Sequence, residues 1–318
     1  MVNGALGAAL GAKGLLTYNE SFWRAETFVA KSPSYGSDLK TIVQEGLAEL
    51  GFSRSRVLGK SVLLKPNLVE PDRSSPHINT HPVLVHAVAE VFRSWDAADV
   101  VVGEGAGHVR DTQLVLQESG MAGMLSDAGI PFVDLNHDDV AKVPNQLGLT
   151  SLGELYLPKS LLKADLVVSM PKMKTHHWAG FTLSMKNLFG VMPGICYGWP
   201  KNRLHYEGIF ESILDITATV RPQLAIVDGV MGMEGDGPIM GTPKHAGALV
   251  IGTNLPAVDA TSIRLMGHDP QRIPYLEYAS GRLGPIAESH IEQRGEGIAS
   301  LATRFELLDH PATAHFKG

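Results

Sequence analysis

The chain has 318 residues, of which 44% are hydrophobic and 19% charged, and a formal net charge of −6. This is the composition of a folded globular protein, long enough for one large domain or two lobes sharing a cleft. The acidic balance leaves no general basic footprint, which argues against nucleic acid and membrane surfaces as partners, and the single cysteine, Cys196, excludes both an intramolecular disulfide and the four-thiolate set of an iron–sulfur cluster.

The opening residues 1–16 are apolar but lack a basic start and are interrupted by Lys13, so they do not read as a signal peptide. No run reaches the roughly 18 apolar residues a membrane-spanning helix needs, and a cytoplasmic, reducing location is expected. Apolar, β-rich runs at 61–65, 99–103, 130–135, 165–170, 224–228 and 248–252 predict buried parallel strands. Residues 81–95 carry apolar positions at helical spacing, with Thr80 placed as N-cap. Alternation of this kind predicts an α/β fold with two lobes of mostly parallel, Rossmann-like sheet flanked by helices, and a site at the strand carboxyl ends. The expected division is an N-terminal lobe 1–160 and a C-terminal lobe 161–318 carrying a Lys/His-rich loop, or one continuous domain. The Pro/Gly-dense residues 190–200 predict a long functional loop, and the last few residues are expected to fray.

Polar groups beside glycines follow several of these runs. Lys65-Pro66-Asn67 follows the first, and Gly103-Glu104-Gly105-Ala106-Gly107-His108 the second. The third glycine is misplaced for a dinucleotide fingerprint, so that run signifies close approach of backbone to a ligand. Lys172, Lys174, Thr175, His176 and His177 follow the fourth run, where ammonium groups would attract a carboxylate or phosphate and imidazoles would carry protons. A solvated turn is the plainer reading of that stretch. Lys186 and Asn187 stand in an apolar segment, so the Lys186 amine is read either as a desolvated nucleophile or as a stem whose head reaches water. Asp228, Glu234 and Asp236 could hold a hard cation, although ordinary Asp/Gly turns explain Glu234 and Asp236 as well. No nucleophile elbow, Walker A sequence, zincin motif or paired-cysteine motif is present.

On Lys65-Pro66-Asn67, Thr80-His81-Pro82, Gly103-Glu104-Gly105, Lys172-Met173-Lys174-Thr175-His176, Lys186-Asn187-Leu188, Asp228-Gly229 and Asp259, the sequence resembles the family known as domain of unknown function 362 over nearly its whole length. That resemblance implies no single activity. Some members carry iron–sulfur ligands, for which this chain offers only Cys196. More distantly, His176-x-x-Ala179-Gly180-Phe181-Thr182-x-x-x-Lys186 is similar to the signature of the lactate racemase family, which uses a nickel-pincer nucleotide. The similarity implies Lys186 as cofactor anchor, His176 and His108 as acid/base pair, His205 as metal ligand and Lys65 as the grip on a substrate carboxylate. Leu183 and Ser184 stand where that family has paired glycines, and residues 190–200 lengthen the step to His205.

These readings point to an enzyme that acts on a small anionic substrate, a carboxylate or phosphate, by proton or hydride transfer of racemase, epimerase or oxidoreductase type. Its catalytic groups are His176, His108 and Lys186. The ligand contacts are Lys65, Asn67, Glu104, Gly105, Lys172, Lys174, Thr175, His177, Asn187 and Asp228, with His205 reserved for a metal. A nickel-pincer nucleotide or a divalent metal is the cofactor the similarity implies. The competing readings are a non-catalytic binding or carrier protein for an anionic metabolite, and a redox accessory protein.

Overall fold

A computed structural model describes residues 24–109 and 111–317, so the apolar opening segment lies outside the described residues. The strands are β1 Ala25–Lys31, β2 Ser61–Pro66, β3 Asp99–Glu104, β4 Phe132–Asp134, β5 Val140–Pro144, β6 Glu154–Pro158, β7 Leu166–Met170, β8 Lys172–His176, β9 Gly180–Thr182, β10 Leu224–Glu234, β11 Thr242–Gly252 and β12 Ile291–Gly295. The main helices are α1 Leu39–Glu49, α2 Pro82–Ser94, α3 Thr112–Glu118, α4 Met121–Asp127, α5 Ile209–Val220, α6 Leu255–Leu265 and α7 Pro274–Ala279. A ten-stranded sheet runs in the order β12-β1-β11-β10-β7-β2-β3-β4, with β8 joined to β10 and β9 to β8, while β5 and β6 form a separate hairpin.

Burial alternates along the strands and sorts them between two helical layers, the period-two consequence of the pleat. Val62, Leu64, Val100, Val102, Leu166, Val168, Leu224 and Ile226 face α1 to α4. Leu63, Val167, Ala225, Val227 and Val250 face α5 to α7. Each fully buried leucine or valine contributes about 1.5–3 kcal/mol, so the two layers together drive the fold.

The mixed α/β, mostly parallel architecture is as the sequence predicts, with informative departures. Strand β11 is antiparallel to both β1 and β10, because it returns from β10 through residues 235–241, too short a connection for a parallel crossover. Strands from both sides of residue 160 pair directly, β2 with β7, so the two segments share one continuous sheet. Helix α2 is capped by His81, whose ring accepts from Val83 N, and not by Thr80. Thr80 Oγ1 instead accepts from Asn67 N at 2.8 Å and donates to Met170 O at 2.7 Å, tying together the chain ends that follow β2 and β7.

The Lys/His-rich stretch is a strand and not a loop. Pro171 has no N–H and interrupts the ladder after β7, its carbonyl accepts from Asp228 N at 2.8 Å, and β8 then continues along the long strand β10. From β2 the chain passes through α2 to β3 and on to β4, then returns to the other side of β2 with β7. The switch point therefore lies between β2 and β7, with β8 standing beyond their carboxyl ends.

Residues expected to be a loop or frayed are packed. The segment Lys186–Val191 is a 3-10 helix and Gly194–Tyr197 a short α-helix, with Val191, Met192 and Tyr197 buried. The final turn, Pro311–Phe316, docks Phe316 at 1% exposure in the core beside Gly180 and Ile273. Among the described residues, no helix is long and apolar enough to cross a membrane. Phe316→Ala is predicted to lose about 3 kcal/mol of stability through cavity formation, measured by urea unfolding; a frayed terminus would show no change.

Candidate active site

At the switch point a cavity of about 490 Å³ opens between the carboxyl ends of β2, β3 and β8. Its floor begins with Lys65, which follows the apolar run of β2 on the side of Leu63 and is fully buried. Lys65 Nζ donates to Glu104, to Pro66 O at 2.5 Å and to Asn187 Oδ1 at 2.8 Å. Burial lowers the lysine's pKa while Glu104 pulls it up, the balance expected of a paired buried charge. Asn187 completes the node, its Nδ2 donating to Lys65 O and Ser169 Oγ, both at 3.1 Å. Gly190 lies against this pair: a Cβ there would come within 2.7 Å of Lys65 Nζ.

The turn before Lys186 is fixed by Asp259 of α6. Its fully buried carboxylate accepts from Ser184 N at 2.7 Å, Ser184 Oγ at 2.5 Å and Met185 N at 3.1 Å. Burial raises its pKa to about 7 against the pull of those donors. Lys186 itself is buried, with Nζ 3.6 Å from the centroid of the Phe189 ring, and no hydrogen-bond acceptor reaches its nitrogen among the described residues. Burial, with Lys65 nearby, brings its pKa down to about 7. Lys174, from β8, donates to Ile78 O at 2.9 Å and Pro238 O at 3.1 Å but meets no carboxylate. Its pKa lies well below the ordinary lysine value, first through burial and then through repulsion by Lys172, Lys186 and Lys65.

Two histidines, His176 and His205, line the cavity. His176 Nδ1 accepts from Trp178 N at 3.0 Å and Ala179 N at 3.2 Å, so its proton resides on Nε2 and the ring is a neutral donor. Burial and the charge of Lys186 lower its pKa accordingly. His205 Nδ1 lies 3.1 Å from Lys201 O, which requires a proton on Nδ1 and leaves the Nε2 lone pair free. Burial brings its pKa down to about 4, and its ring sits edge-on between Trp178 and Phe189.

Lys201 also lines the cavity, donating to Asn136 Oδ1 and, at 2.6 Å, to Met192 O. The mouth is apolar and open, with Trp178 56% and Met240 78% exposed. Two further buried atoms on the wall, Thr182 Oγ1 and Asn67 Oδ1, have no hydrogen-bond partner among the described residues.

The structure thus gathers Lys65, Asn67, Glu104, Gly105, His108, Lys174, His176, His177, Lys186, Asn187 and His205 around one cavity. His108 stands at its rim, 58% exposed and paired with Glu70, and His177 pairs with Asp236 at 3.3 Å. Lys172 and Asp228 are not part of the lining. They form a fully buried 2.7 Å ion pair completed by Tyr35 OH and His81 N, a knot one step deeper in the sheet. Thr175 points to the opposite side of β8 and donates to Gly235 O at 3.0 Å. Glu234 is also structural, holding Lys244 and Glu306 N.

Sequence reasoning missed Lys201 and the clamp Asp259 as parts of the site. An acid inside the apolar helix sequence Leu-Pro-Ala-Val-Asp-Ala is a readable sign of a buried partner. Lys201 gives no such sign, since its backbone φ of +67° emerges only from the folded turn.

The family described as domain of unknown function (DUF362) matches residues 62–264. A thylakoid-associated protein of Synechocystis sp. is 31% identical over 233 residues, covering 71% of this chain and 68% of that protein. Among solved structures, the lactate racemase apoprotein of Thermoanaerobacterium thermosaccharolyticum is 15% identical with a TM-score of 0.44, covering 70% of this chain and 54% of that one. A protein from Thermotoga maritima is 11% identical with a TM-score of 0.37, covering 76% and 58%. The chain therefore spans little more than half the length of these solved structures.

Gly190→Ala is predicted to force Lys65 and Glu104 apart and to cost about 3 kcal/mol, since breaking a buried pair leaves an uncompensated charge. Urea unfolding measures it, and a loss below about 1 kcal/mol would mean that the pair relocates freely.

Proposed function

The chain belongs to the DUF362 family, and from that premise we propose that it is an enzyme that binds a small carboxylate- or phosphate-bearing substrate in this cavity and moves a proton on it, in the manner of a racemase, epimerase or oxidoreductase. The observation that carries the proposal is that Thr182 Oγ1 and Asn67 Oδ1, both buried and without a hydrogen-bond partner among the described residues, line the same cavity as Lys186 and His176, whose Nζ and Nε2 are not engaged by any hydrogen bond of the described residues. Buried polar groups are nearly always paired, so a ligand is the natural source of these partners. Lys174 and Lys186 supply the attraction for its anion, and the apolar mouth at Trp178 and Met240 accommodates its remainder.

The two imidazoles have complementary parts. His176, with Nδ1 committed to backbone N–H groups, acts as a neutral hydrogen-bond donor and not as a proton acceptor. The free Nε2 lone pair of His205 is the acceptor in the same cavity. His108, exposed and paired with Glu70, stands at the rim of the same cavity.

The nickel-pincer nucleotide implied by the lactate racemase resemblance belongs to this proposal also. Lys186 offers an uncommitted amine for attachment and His205 an uncommitted lone pair, while among the described residues no group of three His, Cys, Asp or Glu could hold a bare metal ion. A bound cofactor of that kind would supply a hydride acceptor. Cytoplasmic placement is part of the same reading, and a reducing compartment suits a chain whose one cysteine, Cys196, is free.

Anion binding is predicted to depend on pH. A bound anion favours protonated Lys186, whose pKa in the free protein is about 7. Below that pH the amine is already charged and the affinity for an anion of fixed charge is level. Above it each binding event takes up a proton, so Kd rises by about tenfold per pH unit until the pKa of the complex is reached. Calorimetric titration of sulfate, whose charge does not change from pH 6 to 9, measures this, and an affinity that does not change across that range contradicts the role of Lys186. A second prediction separates the two nitrogens of His176. His176→Asn keeps an acceptor for Trp178 N and Ala179 N, so stability stays within about 1 kcal/mol while phosphate affinity falls. His176→Gln keeps a distal donor but strands the two N–H groups and lowers stability by about 2 kcal/mol. Equal effects of both variants on stability and binding would reject this division of labour.

A further inference from the structure

We infer that Lys186 forms an imine with the carbonyl carbon of a 2-oxo carboxylate, and that the proton moved in this cavity lies on the carbon beside that imine. The inference rests on the proposed reading of the cavity as an anion site and names its substrate class; it takes the Lys186 amine and the His205 lone pair for the substrate in place of the cofactor, so the two uses exclude each other.

Five buried lysines surround or underlie the cavity, and their nitrogens are not equivalent. Lys65 Nζ donates to three acceptors, Lys172 is held by Asp228 and Tyr35, Lys174 by two carbonyls and Lys201 by Asn136 and Met192 O. Each of those nitrogens turns its hydrogens toward acceptors supplied by the fold, whereas Lys186 has no hydrogen-bond acceptor among the described residues and lies against the Phe189 ring; burial brings its pKa down to about 7, so the free amine is populated at neutral pH.

The amine is also fixed in place. Asp259 clamps the two residues before it, and Asn187 after it is tied to Lys65 O and Ser169 Oγ. Its ammonium end rests on the Phe189 ring. A nucleophile held this way approaches a carbonyl from one direction, which is the geometric requirement for addition.

The groups facing Lys186 complete the chemistry. Lys174, Lys65 with its partner Glu104, His176 and His205 all line the same cavity. Lys174 and the Thr182 hydroxyl can hold the carboxylate, and His176 Nε2–H can donate to the carbonyl oxygen. A 2-oxo carboxylate joins the two features that these groups require, an anion and an adjacent electrophilic carbon. A phosphate would engage Lys186 only as a charge and leave its lone pair unused.

The steps balance without an oxidant or reductant. The Lys186 lone pair forms a C–N bond as the carbonyl π bond breaks, and the oxygen takes one of the two amine protons. The hydroxyl so formed leaves as water with a proton from solvent as the nitrogen lone pair forms the C=N bond, which gives the protonated imine, its nitrogen carrying the amine proton that remains. The His205 Nε2 lone pair then accepts the proton from the neighbouring carbon, and the C–H electron pair is taken up into the imine as an enamine. Return of the proton and of water reverses the sequence.

The test treats the full chain at neutral pH with sodium pyruvate and cyanoborohydride, followed by intact mass measurement and peptide mapping. The expected result is one reduced pyruvate adduct per chain, on Lys186, suppressed by excess phosphate and absent from Lys186→Arg. Exchange of the pyruvate methyl protons with deuterated water should be accelerated at least tenfold by the unaltered chain and should fall to background in His205→Phe. Mapping on the unaltered chain decides the assignment even if a variant fails to fold. Adducts scattered over surface lysines, or calorimetric binding of pyruvate with no adduct on Lys186, would overturn the imine while leaving the anion-binding cavity standing. Absence of both pyruvate and phosphate binding would overturn the proposed function itself.

Discussion

The constraint on which this structure depends is the removal of several lysine ammonium groups from water at the carboxyl ends of one sheet. Each such transfer costs several kcal/mol unless a carboxylate and further acceptors replace the lost hydration. Lys172 is compensated by Asp228 and Lys65 by Glu104, in both cases with all remaining acceptors supplied by the fold. Lys174 receives only carbonyl oxygens and Lys186 no hydrogen-bond acceptor. Compensation therefore falls away from the sheet outward into the cavity, and the chemical character of each amine changes with it.

The architecture produces that gradient directly. Strand β10 is long enough to pair first with β7 and then, past Pro171, with β8, so β8 is lifted beyond the ends of β2 and β3. Residues two apart on β8 share a side, and Lys172, Lys174 and His176 thus descend from an enclosed ion pair through the cavity floor to its wall. The segment 184–190 closes the opposite wall because Asp259, Asn187 and Gly190 each bind it to a different strand or helix.

Much of this was legible in the sequence. The apolar runs gave five of the parallel-sheet strands, since a strand covered by helices on both faces reads as continuous Val, Ile and Leu. Lysines and histidines at and just after such runs gave Lys65, His108, Lys174, His176 and His177 of the cavity lining. What was not legible depended on partners distant in sequence. Nothing local distinguishes Lys172 from Lys174, and only the position of Asp228, 56 residues away, decides which of them is consumed by an ion pair. The orientation of β11 was hidden because a central strand has the same composition whichever way it runs. Residues 190–200, rich in Gly and Pro, suggested a loop, yet Gly190 packs closely against Glu104 and Lys65 and Gly194 against Trp199.

An unpaired amine in a buried position is a standing loss of stability, and the fold keeps it although it shows at Lys65 and Lys172 how such a charge is neutralised. Surroundings that stabilise a lysine also disable it, because a nitrogen donating to a carboxylate stays protonated and has no lone pair to offer. The same opposition holds for the imidazoles: His176 has its acceptor nitrogen saturated by backbone N–H groups and can only donate, while His205 has its donor nitrogen held by a carbonyl and can only accept. Stability and reactivity are thus divided among side chains of the same type by the identity of a single neighbour. Where that neighbour is missing, as at Lys186 among the described residues, a group of a bound ligand is the partner proposed for it.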